Sequence, residues 1–452
     1  MTENNHTPQG LTLVAIDIAK DHHDVLIEPP APARRRRLRV ANQREDFEHF
    51  ARYLRGLKST VLIGFEATGN YHRPLAYFLH CQGFALRLIP TLALARTREA
   101  MHNSWDKNDP KDAQVILHLL KTGLTQIWHD PVVNRINDLR ELSKTHCQIT
   151  LARVRVWHTL RNHYLALYFP EIDRFIRSNY NVWVVQLLAA FPTPASIIAM
   201  HEQEFQAQAW NLAGRKVNKQ ALPAEIYTAA KQSIGVPVAL DSAAIAMFRL
   251  VLEQYLALNR LRERIAEQAA TLLADNPDRR RLMTVPGIGP ATALTILAEA
   301  GDLRRFRHHR QFLSFCGLNL STRQSGKARG QSHISKYGNA RLRTALWMAA
   351  QSAVRMRENS FRRKFEHYVR GNPLDADLRR KAYTAVTAKL ARVVFGLIKQ
   401  QTDYRPFFEH QFQVEEPSRA RAVGGSCDPV DNVWAFHLGW HCCFEFGEDH
   451  CL

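Results

Sequence analysis

The sequence predicts an α/β domain followed by an all-α remainder, and three observations carry that reading. Over the first 130 residues, apolar runs of strand length alternate with segments of helical period. Beyond Pro131 the strand signals fade and the chain turns helical and rich in Arg. The length of 452 residues exceeds what one core serves, since domains run to roughly 100–200 residues.

The elements follow in order. LTLVAIDIAK reads as an apolar strand with Asp17 near its end, HDVLIE as a second strand, and RLRVAN as a third after the link PPAPARRRR. Together they suggest an antiparallel meander. Phe47, Phe50, Ala51 and Leu54 recur at helical spacing over residues 43–57, and VLIGFE is a buried strand ending in Glu66. A helix over about 71–81, a strand over 85–89 and more helix beyond Leu92 complete a βββαβαβα order. That is the layout of a ribonuclease-H-like fold, a mixed sheet flanked by helices.

The expected organisation is an α/β domain over 1–130, a helical and coiled-coil middle over 131–275, a helical domain over 276–404 and a variable tail over 405–452. In the middle, Phe248, Val251, Tyr255, Leu258, Arg262, Ile265, Ala269 and Leu272 step by three and four. This seam suits a coiled coil or helical hairpin, and equally an amphipathic helix packed on its own domain. A pairing surface of this kind would serve a homodimer or tetramer.

Hydrophobic residues at 46% and charged residues at 23% lie in the normal globular range. The longest uncharged candidate for a membrane span, residues 182–200, is interrupted by Gln186, Pro192 and Pro194, and the N-terminus lacks the layout of a signal peptide. The expectation is a cytoplasmic protein with no membrane partner. Seven cysteines are few for this length, and three are scattered singly through apparent core segments, which suits reduced thiols. The net charge of +19 favours a polyanionic partner, nucleic acid first. Thirteen Lys or Arg against two acidic residues fall within 279–345, so the surplus is concentrated there.

Asp17 and Glu66 end two strands that lie side by side in this fold. Asp109 and Asp112 lie in KNDPKDAQVILHLL, where Pro110 suits a first helical position and a spacing of three puts both on one face. Four converging carboxylates repel unless a cation neutralises them, and hard oxygen ligands select Mg²⁺ or Mn²⁺. Such ions assist cleavage or transfer of a phosphodiester. Singly, each carboxylate has an ordinary structural reading: a strand end, a helix cap, or an N-cap before proline. Their joint placement favours catalysis. Asp106 competes with Asp109 and ranks below it, because it lies outside the turn that Pro110 starts.

TVPGIGPATALTILAEAGD resembles a helix-hairpin-helix element, in which Gly287 and Gly289 allow a tight turn whose N–H groups can hold a phosphate. A Gly-Pro turn between two core helices gives the same pattern. Downstream comes SGKARGQSHISKYGNARLRTALWMAA. The aspartate of VAIDIAKDHHDV, then FEATGNYHRPL, NDPKDA, PGIGP and this last stretch occur in one order. Over about residues 11–400 the chain therefore resembles the IS-one-ten family of insertion-sequence transposases, which includes the Piv-type DNA invertases.

The resemblance implies a RuvC-like domain whose DEDD metal ligands match Asp17, Glu66, Asp109 and Asp112. It also implies a helical transposase domain with a nucleophilic serine, here Ser325 before Gly326. Bacterial, nucleoid-associated strand exchange between donor and target DNA is the implied activity, guided by a structured non-coding RNA from the element. Arg323, Lys327 and Arg329 surround Ser325 and would favour its activation, with Ser321 and Ser335 as rivals. Lys336, Arg341 and Arg343 read as phosphate contacts or as solvent-facing helix charge. The run Arg34 to Arg37 suits the grip of a heteroduplex backbone, or a solvated hairpin tip. A metal-dependent, structure-selective nuclease of the junction-resolvase kind would use the carboxylates without Ser325, and a Piv-type invertase would use both. The tail holds Cys427, His437, His441, Cys442, Cys443, His450 and Cys451 without ordinary finger spacing, so a variable extension is expected over a zinc site.

Overall fold

The structure, a computed structural model, describes residues 10–57, 59–102, 109–176, 182–212, 221–325 and 328–405. Asp106, Gly326, Lys327 and residues 406–452 of the tail, singled out in the sequence, lie outside the described residues. Two compact units meet in the chain at Ile136 and Asn137.

The first unit is built on a six-stranded sheet of order β3-β2-β1-β4-β5-β6. Its elements are β1 (Leu11–Asp17), β2 (His22–Glu28), β3 (Arg36–Ala41), α1 (Arg44–Arg55), β4 (Thr60–Glu66), α2 (His72–Cys81), β5 (Ala85–Ile89), α3 (Thr91–His102), α4 (Asp109–Lys121) and β6 (Gln126–Ile127). β1, β2 and β3 form the expected antiparallel meander, while β4 and β5 run parallel to β1. The central strand β1 is apolar from Leu13 to Ile16 because both its faces are covered. Val14 and Ile16 pack with Phe47, Phe50 and Leu54 of α1 and Leu75 and Leu79 of α2. Leu13 and Ala15 pack with Val115, Ile116 and Leu119 of α4. α4 lies close on the sheet because Gly64 of β4 has no side chain: a Cβ there would stand 2.6 Å from Leu120.

The second unit is mostly helical. It comprises α5 (Asn137–Thr159), continued by a π-helical turn over Leu160–Leu165, then α6 (Ala166–Tyr168), α7 (Val182–Ala190), α8 (Pro194–Ile198), α9 (Glu202–Leu212), α10 (Ala221–Lys231) and α11 (Ala243–Leu272). After these come α12 (Pro277–Met283), α13 (Pro290–Ala300), α14 (His309–Phe315), β7 (Leu320–Ser325), β8 (Ala328–Ile334), α15 (Ala340–Arg355), α16 (Ser360–Val369) and α17 (Ala376–Gln400). One core gathers residues from Trp157 to Tyr255, a second from Ala269 to Ile398.

The seam on α11 packs against α5 of the same unit. Trp157 packs against Tyr255 with the rings tilted and their centroids 5.4 Å apart, and Arg153 donates to Asn259 at 3.1 Å. Falling numbers on α5 meet rising numbers on α11, so the helices run antiparallel. The buried face is Ile245, Phe248, Leu252, Tyr255, Asn259, Ile265 and Ala269. Leu272, which the spacing places on the seam, is exposed. The β7–β8 hairpin corrects the expectation of an all-helical third region. Its strands, LSTRQS and ARGQSHI, carry little apolar alternation, so the period that reveals half-buried strands is missing. Among the described residues, no helix is long and apolar enough to cross a membrane.

His23 in β2 is fully buried, and its Nε2 has no hydrogen-bond partner. Desolvation, then the neighbouring charge of His22, pushes its pKa down to about 4. The unfolded chain therefore takes up a proton near pH 6.5 that the folded one refuses, so stability is complete above that value and falls as pH drops towards 4. We expect thermal melting between about pH 7.5 and 4.5 to show a loss for which His23 accounts by ~3 kcal/mol, and His23→Leu to flatten that dependence. A variant whose melting tracks the parent at every pH rules this out.

Candidate active site and nucleic-acid interface

The parallel pairing of β1 with β4 matches Ile16 to Phe65. One step further along the same register, Asp17 stands opposite Glu66, on strands whose axes are about 4.8 Å apart. Alternation along each strand puts Asp17 on the face of Leu13 and Ala15, and Glu66 on the face of Leu62 and Gly64. That face is the one α4 covers. The helix carrying Asp109 and Asp112 thus lies over the sheet face to which both strand-end carboxylates belong. Asp109 begins α4, ahead of Pro110.

Asp112 is only 2% exposed. Its Oδ1 accepts a hydrogen bond from Arg98 Nε of α3 at 2.5 Å, a charge-assisted contact that sequence reasoning missed. Nothing in the local sequence marks Arg98, because the pair joins two helices through tertiary packing. Among the described residues, no three His, Cys, Asp or Glu side chains gather closely enough to hold a metal ion. The donor chemistry of Asp17 and Glu66 suits a hard divalent cation, and their adjacency supplies two oxygen-bearing side chains from one sheet edge. Asp112 is the member committed elsewhere.

In the second unit, Ser325 is the last residue of β7 and pairs in register with Ala328. Arg323 and Arg329 lie on the two strands of this hairpin, beside a bulge in which Gly330 and Gln331 oppose Arg323 alone. The rival Ser335 is held in the fold: its hydroxyl bonds Asn319 Oδ1 at 2.5 Å, and its N–H donates to the Asn319 carbonyl at 2.8 Å. Ser321, the other rival, pairs with His333 and is half-buried.

The basic residues after the hairpin divide by what they touch. Arg343 donates Nη1 to the carbonyls of Cys316 and Lys336, at 3.1 and 3.2 Å, fastening the turn to α14. Arg341 donates Nε and Nη2 to Glu299, at 2.7 and 3.2 Å. Both arginines therefore serve internal contacts, and Arg341 keeps part of its guanidinium in solvent. Lys336 is exposed, with a left-handed backbone at φ +57°. Glu299, 4% exposed, also accepts from Asn339 Nδ2 at 2.7 Å, and Asn339 caps α15. A glutamate inside the apolar run TALTILAEA was the one sequence sign of this junction, since a buried carboxylate requires partners. Charge-assisted bonds of this kind contribute roughly 1.5–3 kcal/mol each.

Gly287 and Gly289 differ in role. Gly287 adopts φ +86°, and a Cβ on it would meet the Ala349 carbonyl oxygen at 2.2 Å, so its missing side chain lets the turn abut α15. Gly289 is the N-cap of α13, and a Cβ there meets nothing within 4 Å. Its surroundings leave room for a ligand at a helix N-terminus. We expect Gly287→Ala to lower the melting temperature of the full chain by several degrees, and Gly289→Ala to leave it within about one degree. Equal melting of the two variants would refute this division.

Two family models match. One, described as Transposase and built on DEDD enzymes of the IS110 type, covers residues 14–170. The other, Transposase IS116/IS110/IS902 family, covers residues 279–366. A probable family 20 transposase of Pseudomonas aeruginosa is 35% identical over 131 residues, 28% of this chain and 37% of that protein. The mini-circle putative transposase for IS117 of Streptomyces coelicolor is 25% identical over 375 residues, 78% of this chain and 87% of that protein. A pilin gene-inverting protein of Moraxella bovis is 31% identical over 129 residues, 28% of this chain and 37% of that protein.

Proposed function

Since the chain belongs to the IS110-type transposase family, with both of that family's matched regions in order, we propose that it is a DNA transposase that cuts, exchanges and religates the strands of an insertion element. The observation that carries this reading is the β1–β4 register, which sets Asp17 beside Glu66 on the sheet face under α4. Asp17, Glu66, Asp109 and Asp112 are the ligands proposed for Mg²⁺ or Mn²⁺. Divalent ions bound there would supply Lewis-acid stabilisation of the oxygens around a reacting phosphorus.

Ser325 is the proposed nucleophile. Its Oγ forms a bond to a DNA phosphorus, the bond from that phosphorus to one deoxyribose oxygen breaks, and the departing oxygen takes up the proton the serine gives up. The phosphoserine ester keeps the energy of the broken bond. A hydroxyl from a second strand then attacks the same phosphorus, and Ser325 leaves with the proton that hydroxyl loses. The bonds of Ser335 to Asn319 support Ser325 over that rival. Arg323, Lys327, Arg329 and Lys336, with Gly289 at the start of α13, are the proposed phosphate contacts; Arg341 and Gly287 contribute by holding the turns that carry them.

Guidance by a structured RNA of the element belongs to the same proposal, as does action of two or four copies on bacterial DNA in the cytoplasm. The net charge of +19 and the exposed run Arg34 to Arg37 support a second polyanion beside DNA. The pilin gene-inverting relatives favour one second reading, site-specific inversion, in which the same residues act on inverted sites of one DNA molecule.

Ser325→Ala and Asp17→Ala are each expected to reduce recombination of a plasmid-borne element by roughly 10³-fold or more. Persistence of DNA cleavage in Ser325→Ala, with loss only in Asp17→Ala, would instead identify a metal-dependent nuclease of the resolvase kind. Sequencing of nucleic acid that co-purifies with the protein is expected to return one discrete structured RNA. A heterogeneous cellular mixture would remove the guided part of the proposal.

A further inference from the structure

We propose that Arg98 is a positioning residue that serves as an internal counter-cation of the carboxylate site and competes with a divalent metal ion for Asp112. The inference rests on the reading of Asp17, Glu66, Asp109 and Asp112 as metal ligands.

Asp112 belongs to the first turns of α4, and its carboxylate is almost wholly withdrawn from water. A buried carboxylate without a counter-charge is costly, and this one sits on the helix that covers the sheet face of Asp17 and Glu66. Arg98 supplies the missing charge, with Nε 2.5 Å from Asp112 Oδ1 and a side chain that is itself 18% exposed. The reach of Arg98 is fixed by its own helix. Leu94, four residues earlier and so on the same face of α3, packs into the core with Ala113 and Ile116 of α4. The other charged groups of that helix, Arg96 and Glu99, pair with each other at 3.0 Å in a more exposed position. Arg98 is therefore the α3 cation directed at the site.

A guanidinium is permanently charged, so this contact is not relieved by any ordinary change of pH. It occupies a lone pair of one ligand oxygen and adds positive charge where a dication must enter. A metal ion that recruits Asp112 must share or displace Arg98, and its affinity is lower than the carboxylates alone would give. Metal occupancy is thereby coupled to the packing of α3 on α4.

The test is Mn²⁺ binding to the full-length protein, measured by calorimetry without DNA, together with thermal melting in the presence and absence of Mn²⁺. Arg98→Gln is expected to bind Mn²⁺ roughly three- to tenfold more tightly than the parent, because one opposing charge is gone. Its melting temperature should fall without Mn²⁺ and recover by a larger increment when Mn²⁺ is added. Arg98→Lys, which keeps the charge, should stay within about twofold of the parent affinity. A merely structural contact predicts the opposite sign, so unchanged or weaker Mn²⁺ binding by Arg98→Gln overturns the inference. Should that variant not fold, Arg98→Met, which retains the apolar stem, is read by the same two outcomes. Asp17→Asn and Glu66→Gln test the underlying reading separately. If Mn²⁺ binding survives both, the metal-site reading fails; if both abolish it while Arg98→Gln leaves affinity unmoved, the Arg98 inference alone fails.

Discussion

The parallel pairing of β1 with β4 constrains everything that follows in the first unit. Parallel neighbours end at the same edge of the sheet, so a residue that closes one strand has a counterpart that closes the other. A slip of one residue would send Asp17 and Glu66 to opposite faces. Such a slip is opposed by both layers at once, because Val14, Ile16, Ile63 and Phe65 are buried under α1 and α2 while Leu13 and Ala15 are buried under α4. The register is held by apolar packing, and the placement of the two strand-end carboxylates follows from that packing.

The second unit solves a different problem, the accommodation of many like charges. Its third region holds thirteen cationic residues between 279 and 345, and left to repel one another they would loosen the turns that carry them. Several are drawn into internal contacts instead. Arg304 is bound by Asp278, which raises its pKa and holds the Asp278 carboxyl below its ordinary value. Arg305 lies over the rings of Phe306 and Phe315. Arg341 and Arg343 fasten the start of α15. The charge that remains for a polyanion is smaller than the count of residues suggests and is better ordered.

Much of this was legible in the sequence where periodicity is strong. β1, β4 and β5 were readable as apolar runs, α1 and α2 by helical spacing, and the carboxylates by their places at element ends. What escaped had no local signature. The β7–β8 hairpin is polar on both strands, so its pairing rests on backbone hydrogen bonds and carries no alternation. Arg98 meets Asp112 across fourteen residues of chain, and Glu299 meets Arg341 across forty-two. The seam on α11 was visible as a heptad pattern, but its phase was set by α5, and a buried Asn259 displaced Leu258 from the contact face. Periodicity reports that a helix has an apolar side; only the partner decides which residues occupy the middle of it.

The absent side chain at Gly287 has a mechanical meaning. Through it the turn between α12 and α13 bears directly on the backbone of α15, whose first turn is anchored by Asn339, Arg341 and Glu299 to α13. The turn, α13 and α15 consequently form one closed frame, like the jaws of a fixed-gap gauge. A side chain added at the turn has no space to enter without moving α15, so the two are set together.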